Sequence, residues 1–338
     1  MVNSMNLFLV TSPFQYICAL EAKAHYQTKN NILLLVNQES EPGITQQRKL
    51  LDIKEWDYII SIGRKNRSKF VPKAIKEIKQ LSYNNKLEHF FHAEYNAWRT
   101  KLILRNLPIE KEVYFDDGTL TINEYEESIR LKSGFHRPRF IQDLVVRLQG
   151  CKPIGKLSQS HNLEIFTIFT IQTSEHHVVK NTLNTLKKKY NLSTLYNKDA
   201  PIGFVGQGAI GHKRRKTIKQ YMREINFFIK KQNKEIIYFP HRTESLELMK
   251  EIQKIEGVTY HCSELPLEIE LIDKRIELSG LVGILSTVQC TARLLYPDMP
   301  IYNLNSGIEA EDLSEINRNR NRRIHQEFKL NGIKDISI

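Results

Sequence analysis

Three short motifs, each at the end of an apolar run, carry side chains that could do chemistry. They are Asp116-Asp117-Gly118, His241 and Ser286-Thr287. The preceding runs, such as Val113-Tyr114-Phe115, are typical of buried strands. In open α/β sheets the carboxyl ends of the strands line the ligand crevice. A carboxylate, an imidazole and two hydroxyls that meet there would suit base-assisted transfer of a sugar from a phosphate leaving group.

The paired aspartates favour general-base chemistry. Two adjacent carboxylates repel each other in a dry site, which raises the pKa of one of them, and Gly118 permits a sharp bend. Asp117 is the candidate base, with Asp116 beside it as a second candidate. An ordinary Asp-Gly turn and a divalent-metal site are the alternatives. The sequence has no further cluster at metal-ligand spacing, so we expect neither a metal nor a cofactor.

His241 and the hydroxyl pair suit an anionic ligand. An imidazole at a strand end can donate a hydrogen bond or a proton to a phosphate oxygen, and Arg242 adds a positive charge beside it. Ser286 and Thr287 form the first turn of a predicted helix, where hydroxyls and backbone N–H groups bind anions. A structural histidine and ordinary helix capping are the alternatives.

Two further segments are candidates for contact with a nucleotide. Gly206-Gln207-Gly208 belongs to a glycine loop that lets the backbone approach a ligand, and His212 after it is another candidate acid or base. Together with Gly211 this loop imitates a dinucleotide fingerprint, but the acidic residue that the fingerprint requires is absent. Glu268, near a predicted helix start, can accept hydrogen bonds from ribose hydroxyls, although acidic first turns are also ordinary.

The elements that must position these residues alternate between strands and helices. Strands at 6–10, 32–36, 56–60, 87–91 and 113–115, with helical patterns between them, predict a parallel, doubly wound sheet. The alternation resumes at 202–205 and continues to 301–304. We therefore predict an α/β protein of GT-B type, with two Rossmann-like domains and a cleft between them. The predicted parts are an acceptor-side domain over 1–118, a linker region over 119–199, a nucleotide-sugar-binding domain over 200–307 and a basic C-terminal tail over 308–338.

Composition limits the class of protein. The 338 residues are 41% hydrophobic and 26% charged, which predicts a folded chain of about two domains. We expect a cytoplasmic protein, because no run reaches the roughly 18 apolar residues of a membrane span and no signal peptide is recognisable. The four scattered cysteines predict reduced thiols. The net charge of +12 indicates an acidic partner such as anionic lipid, acidic glycan, nucleotide or nucleic acid.

Taken together, these motifs resemble the bacterial sialyltransferases, in particular glycosyltransferase family 52, the lipooligosaccharide sialyltransferases. The similar segments are Leu9–Gln15, Asp116-Asp117-Gly118, Pro240-His241 and Ser286-Thr287, within a resemblance that spans roughly residues 7–304. The intervals from His241 to Glu268 and to Ser286 are also similar to those of the family. The chain departs from the family where Arg242 replaces the proline of a His-Pro motif.

The resemblance implies an inverting, metal-independent transfer of sialic acid or a related nonulosonic acid from its CMP-sugar. The acceptor would be a cell-surface glycan or glycolipid of lipooligosaccharide or capsule. Asp117 would be the base, and His241 would act on the CMP phosphate. Ser286 and Thr287 would hold that phosphate, and Glu268 the ribose. The resemblance also implies a homodimer with peripheral contact to the anionic inner membrane.

Three alternatives stay open. In parts of family 52 the base comes from the second half, which would favour the region of His212 over Asp117. A glycosyltransferase that uses a diphosphate-nucleotide hexose donor is a second enzyme hypothesis. A basic nucleic-acid-binding protein is an alternative of another class. The basic clusters contain few aromatic residues and no recognition motif, so we expect no nucleic-acid partner.

Overall fold

The chain folds into two α/β units, residues 1–186 and residues 187–338. The computed structural model describes residues 4–171, 175–190, 194–208, 210–211, 216–232, 234–305 and 314–337. In both units, apolar runs of four to seven residues form the central strands, and amphipathic helices connect them.

The first unit contains a seven-stranded parallel sheet and a small antiparallel pair. Its elements are β1 (Asn6–Val10), α1 (Pro13–His25), β2 (Asn31–Val36), α2 (Gly43–Leu50), a 3₁₀ turn (Ile53–Glu55), β3 (Tyr58–Ile62), α3 (Arg67–Leu81), β4 (Leu87–His92), α4 (Trp98–Asn106), β5 (Ile109–Phe115), α5 (Leu120–Glu124), a π-helical turn (Tyr125–Ile129), β6 (Phe135–His136), α6 (Phe140–Leu148), β7 (Lys156–Leu157), β8 (Leu163–Thr167) and β9 (His177–Lys180). The next helix, α7 (Asn184–Tyr190), crosses the boundary between the units.

Strand order in the first sheet is β3-β2-β1-β4-β5-β8-β9. All five residues of β1 are buried, as expected for a parallel sheet covered on both faces. Leu7 and Leu9 pack into one core cluster, and Phe8 and Val10 into another, because successive side chains point to opposite faces. The order reverses between β1 and β4, and ligands bind at such switch points in open α/β sheets.

The second unit contains a six-stranded parallel sheet of order β12-β11-β10-β13-β14-β15. Its elements are β10 (Ile202–Val205), α8 (Ile218–Gln232), β11 (Ile236–Phe239), α9 (Leu246–Ile252), β12 (Val258–Tyr260), α10 (Leu267–Asp273), β13 (Gly280–Gly283), α11 (Thr287–Leu295), β14 (Ile301–Asn305), α12 (Glu315–Leu330) and β15 (Lys334–Ser337). Phe204, Tyr221, Phe228 and Tyr238 are fully buried in its core. The switch point of this sheet lies between β10 and β13.

The observed division of the chain differs from the boundaries expected from the sequence. The expected linker region 119–199 is divided at residue 186, and its first part belongs to the first unit. The reason is that β8, buried at all five positions, pairs in parallel with β5, and β9 pairs with β8. The expected tail 308–338 contributes β15, which pairs in parallel with β14 and ends the second sheet.

The structure also bears on the cysteines and on membrane insertion. All four cysteines are free thiols, as the sequence predicted; Cys262 is exposed, and Cys18, Cys151 and Cys290 are buried. Within the part of the chain that the structure describes, no helix combines the length and apolar character that a membrane crossing requires.

Candidate functional site

The second unit brings the glycine loop against His241. Strands β10 and β11 pair in parallel, so Gly206 and Gly208 leave the sheet at the same edge as His241. A Cβ on Gly208 would lie 2.8 Å from Cε1 of the His241 ring, and one on Gly206 would lie 2.8 Å from the His241 backbone N. Because both distances are shorter than real Cβ contacts, only glycine permits this approach of the loop.

The ring of His241 has a defined hydrogen-bond arrangement. Its Nδ1 accepts a hydrogen bond from the Thr243 backbone N–H (3.2 Å) and lies 2.8 Å from Thr243 Oγ1. Burial, followed by the positive charge of Arg242, lowers the pKa of His241 to about 4. At neutral pH the ring is therefore uncharged, and with Nδ1 accepting, its proton is on Nε2. Nε2–H can donate to a ligand oxygen. Thr243 fixes this tautomer, and no motif in the sequence points to it.

Ser286 and Thr287 begin α11 in a closed capping box. Ser286 Oγ accepts from the Val288 N–H (3.4 Å), and Gln289 Oε1 accepts from the Ser286 N–H (2.7 Å). The box satisfies donors at the helix start. Gln289 Nε2 also donates to the Tyr302 carbonyl oxygen of β14 (2.7 Å), which holds α11 against the sheet. The Ser-x-x-Gln pattern in the sequence is the signal that could identify Gln289 as part of this cap.

The turn before this helix is held from the neighbouring strand. Leu285 adopts φ 47°, a left-handed conformation that bulky residues rarely adopt. Its N–H donates to Asn303 Oδ1 on β14 (3.0 Å), and Asn303 Nδ2 donates to Asp335 Oδ1 on β15 (2.8 Å). These bonds keep the N-terminus of α11 at the carboxyl end of β13, a position suited to an anion.

Two further candidates of the second unit have buried side-chain oxygens. Glu268 Oε1, in the first turn of α10, accepts a hydrogen bond from Thr291 Oγ1 of α11 (3.0 Å), and burial raises the pKa of Glu268. Gln207 Oε1 is buried and has no hydrogen-bond partner among the described residues. The backbone N–H of Gln207 donates to the Tyr221 hydroxyl (3.2 Å). A buried oxygen of this kind suits a donor group on a ligand. His212 lies outside the described residues.

In the first unit the two aspartates have different surroundings. Asp116 is fully buried, and its carboxylate accepts hydrogen bonds from Thr167 Oγ1 (2.5 Å) and the Ile168 N–H (2.7 Å). Asp117 is half-buried, and its Oδ1 accepts from Gln15 Nε2 (2.8 Å). The pKa of Asp116 is raised to about 7, and burial is the largest cause. From the sequence, such a rise is expected from repulsion between the two carboxylates, whereas in the structure burial is its main cause.

Gln15 links Asp117 to the start of α1. The Thr11 N–H donates to Gln15 Oε1 (2.8 Å), and Ser12 Oγ accepts from the Gln15 N–H as the helix cap (3.2 Å). Gln15 belongs to the segment Leu9–Gln15 that resembles family 52, and its contact with Asp117 is evident only from the structure. Among the residues described here, no group of three or more His, Cys, Asp or Glu side chains could hold a metal ion.

Comparisons with known proteins support the fold. No protein-family model matches the chain, and no curated protein matches it significantly. Solved structures do match. The UDP-GlcNAc 2-epimerase of Neisseria meningitidis bound to UDP-GlcNAc is 12% identical, with TM-score 0.53 over 96% of this chain and 90% of that one. MnaA of S. aureus, solved with UDP, is 13% identical, with TM-score 0.52 over 96% and 88%. The UDP-GlcNAc 2-epimerase of Methanocaldococcus jannaschii, in complex with UDP-GlcNAc and UDP, is 14% identical, with TM-score 0.50 over 96% and 92%.

These likenesses and the topology define the class of fold. Each unit has a doubly wound parallel sheet in which the strand order reverses next to the first strand. The chain has a GT-B-type α/β fold of two Rossmann-like domains, which confirms the predicted fold class. At 12–14% identity the similarity concerns the fold alone.

Proposed function

We propose that this protein is a glycosyltransferase that uses a nucleotide sugar and binds the nucleotide with its second unit. The observation that supports the proposal most is the arrangement at the switch point of the second sheet. The glycine loop after β10, His241 after β11 and the capped start of α11 after β13 all lie at the carboxyl edge. The neutral His241 ring donates to a phosphate oxygen, and the helix start stabilises the negative charge of the leaving group.

The remaining candidates have complementary roles in this proposal. Asp117 is the proposed base, because an acceptor hydroxyl has a pKa far above neutrality and must lose its proton as the bond forms. Ser286 and Thr287 are proposed phosphate ligands, and Glu268 a ribose ligand. Asp116 supports the loop that carries Asp117, because its carboxylate is already engaged by Thr167 and Ile168. Direct displacement by this route inverts the anomeric carbon.

Two donor classes have support. The similar structures solved with UDP or UDP-GlcNAc favour a nucleoside-diphosphate sugar. The motif resemblance to family 52 favours a CMP-linked nonulosonic acid as the second candidate. Both donors need a phosphate site and a ribose site, so the described residues serve either one.

Nucleotide titration tests the proposal. We expect UDP or CMP to bind the wild-type protein in isothermal calorimetry, and His241→Ala to weaken that binding about tenfold, the effect of one hydrogen bond to a charged group. His136→Ala, an exposed histidine in the first unit, is the matched control and should bind as the wild type does. Failure of both nucleotides to bind, or equal affinity in the His241 variant, would refute the proposal.

A donor panel then identifies the reaction. UDP-hexoses and CMP-nonulosonic acids are offered with galactose-terminated acceptors, and nucleotide release and product mass are measured. Acceptor-dependent release of UDP assigns the diphosphate donor, and release of CMP assigns the nonulosonic acid donor. Epimerised nucleotide sugar without an acceptor product would contradict transfer.

We also propose peripheral contact with an anionic membrane through α6. Val146 is the buried residue of this helix. The helix exposes four large apolar side chains: Phe140, Ile141, Leu144 and Leu148. Phe140 is 87% exposed, and the four-residue spacing of 140, 144 and 148 places these side chains on one helical face. Arg137 and Arg139 precede the helix, Arg147 lies in its last turn, and Asp143 is the single acid of the helix. Apolar residues with basic flanks suit the surface of an anionic bilayer.

Vesicle sedimentation tests this contact. We expect the protein to sediment with vesicles that contain phosphatidylglycerol more than with phosphatidylcholine vesicles, and less at high salt. The double variant Phe140→Ser, Leu144→Ser should lose this binding. Leu246→Ser, which changes an exposed leucine of the second unit, should retain it. A different result would assign the face to a second copy of the chain: the wild type is a dimer, the double variant is a monomer, and neither binds vesicles.

A further inference from the structure

A second polar cluster lies at the switch point of the first sheet. Thr11 directly follows β1, and Glu94 is the second residue after β4. Thr11 Oγ1 donates to Glu94 Oε1 (2.9 Å), and Glu94 Oε2 lies 3.1 Å from Nε of Arg99. These contacts join the two strands between which the order reverses, where sheets of this type bind ligands.

Arg99 is buried with unused hydrogen-bond donors. It lies in the first turn of α4 and is 2% exposed. Among the described residues, neither Nε nor Nη1 of Arg99 makes a hydrogen bond, although Glu94 lies close enough for an ion pair. Buried guanidinium groups are ordinarily satisfied by acceptors. Such donors at a switch point suit an anionic group on a ligand.

Two more arginines belong to the same cluster. Arg64 Nη2 donates to the carbonyl oxygen of Thr11 (2.6 Å), and Arg67 Nε donates to the carbonyl oxygen of Arg64 (3.3 Å). Burial is the largest cause of the lowered pKa of Arg99, and the charges of Arg64 and Arg67 lower it further. Among the described residues, Glu94 is the carboxylate that pairs with this group. The charges that act on Arg99, within the described residues, are those of Glu94, Arg64 and Arg67, so the cluster has a net positive charge.

We propose that Arg64, Arg67 and Arg99 bind an anionic group, a carboxylate or a phosphate, of the acceptor substrate. Guanidinium groups present paired N–H donors that match the oxygens of both groups. This inference rests on the proposed function, and it specifies that the acceptor carries a negative charge.

Hydrogen bonds connect this cluster to the proposed base. The Thr11 N–H donates to Gln15 Oε1, and Gln15 Nε2 donates to Asp117 Oδ1, each at 2.8 Å. Thr11 therefore has contacts in both directions. Its side chain donates to Glu94 and its carbonyl oxygen accepts from Arg64, while Gln15 connects its N–H to Asp117. The proposed anion subsite and the proposed base are therefore linked through Thr11 and Gln15.

Direct binding measurements test the subsite without an identified acceptor. The probes are galacturonate, neutral galactose and inorganic phosphate, titrated by calorimetry at constant ionic strength. We expect galacturonate and phosphate to bind and galactose not to bind. Arg64→Gln and Arg67→Gln should each weaken binding about tenfold, since each removes a charged hydrogen bond. Arg105→Gln changes an exposed arginine of the same helix as Arg99 and should have no effect.

Other outcomes separate this subsite from the proposed function. If phosphate and galacturonate binding fall in His241→Ala but not in Arg64→Gln or Arg67→Gln, the anion binds in the second unit and the subsite is refuted. Equal affinity for galactose and galacturonate also refutes it. The same preparations are titrated with UDP and CMP. Nucleotide binding without anion binding refutes the subsite alone. Anion binding without nucleotide binding refutes the proposed function and leaves an anion site.

Arg99→Lys, which keeps the charge but loses the paired donors, should bind galacturonate more weakly than wild type.

Discussion

At the residue scale, the two adjacent aspartates differ in what surrounds them. The carboxylate of Asp116 is enclosed by hydrogen bonds from Thr167 and Ile168, and Asp117 is half-buried beside Gln15. A base must reach the proton that it removes, which favours the more accessible of the two. Asp116 instead ties the loop after β5 to the end of β8.

Exchanging each aspartate separates these roles. We expect Asp117→Ala to lower kcat at least about two orders of magnitude, because the acceptor hydroxyl loses its base, while the affinity for nucleotide stays unchanged. Asp116→Asn keeps the size of the side chain and should retain most of the activity. Rates are measured with the donor found in the panel. Near-normal turnover in the Asp117 variant would contradict its assignment as base.

The buried carboxyl of Asp116 also has a pH signature. Its pKa in the folded protein, about 7, lies above the value of about 3.9 expected in the unfolded chain. The folded state therefore binds this proton more tightly, so the contribution to stability is full at low pH and is lost as pH rises from about 4 to 7.

Asp116→Asn removes this titration. As the pH rises from about 4 to about 7, the free energy of unfolding of the wild type should decrease relative to that of Asp116→Asn. Urea denaturation at each pH measures this difference. Asp298→Asn changes an exposed aspartate and is the control for the loss of charge. A constant difference between wild type and Asp116→Asn across this range would show that Asp116 is ionised throughout.

At the element scale, the ends of neighbouring strands support one another. The loop after β10 passes His241 closely enough to exclude a side chain, and β14 and β15 hold the turn before α11 through Asn303. The first sheet repeats the pattern, since Thr11 after β1 binds Glu94 after β4. The candidate groups therefore lie on short connections held by rigid strands.

A methyl group on the glycine loop should disturb the histidine. Gly208→Ala would place Cβ 2.8 Å from the His241 ring, so the ring or the loop must shift. We expect about a tenfold loss of affinity for nucleotide in calorimetry, as the ring leaves its position for the phosphate. Gly134→Ala is the control, because its Cβ would meet a backbone oxygen at an ordinary 3.7 Å. Unchanged nucleotide affinity in Gly208→Ala would place the phosphate away from His241.

At the scale of the whole molecule, each unit has its own core. The second unit is built around aromatic residues such as Phe204 and Tyr238, and the first unit has separate clusters on both faces of its sheet. A unit of about 150 residues can bury enough apolar surface to fold alone. The proposed nucleotide ligands all belong to the second unit.

The second unit should therefore bind nucleotide by itself. We expect a fragment of residues 184–338, which keeps α7 whole, to fold and to gain about 2.7 kcal/mol of stability when UDP or CMP is present at about 100 times its Kd. Thermal unfolding monitored by circular dichroism, with and without nucleotide, shows whether the fragment folds and how much the nucleotide stabilises it. A fragment of residues 1–186 should gain clearly less, because its proposed arginine subsite contacts only an anionic group and not the nucleoside. An unfolded second fragment, or equal stabilisation of both fragments, would contradict the assignment.

Much of the fold could be predicted from local patterns. The apolar runs of β1, β10 and β11 were predicted as strands and are confirmed, because buried parallel strands have short sequence signals. The region after residue 118 was harder to predict. Its strand β8 joins the first sheet through pairing with β5, and pairing between distant segments has no local signal.

By itself, the sequence determined the doubly wound class of fold, the strand ends that carry Asp117, His241 and Ser286, and the glycines that let the loop approach. Tertiary structure decided which aspartate is buried, which nitrogen of His241 carries the proton and which residues meet Arg99. The physical reason is distance along the chain: Thr11 and Glu94 are 83 positions apart, and Gln15 and Asp117 are 102 apart. Burial and charge at such contacts depend on how the chain packs, and pKa values and hydrogen-bond partners follow from that packing.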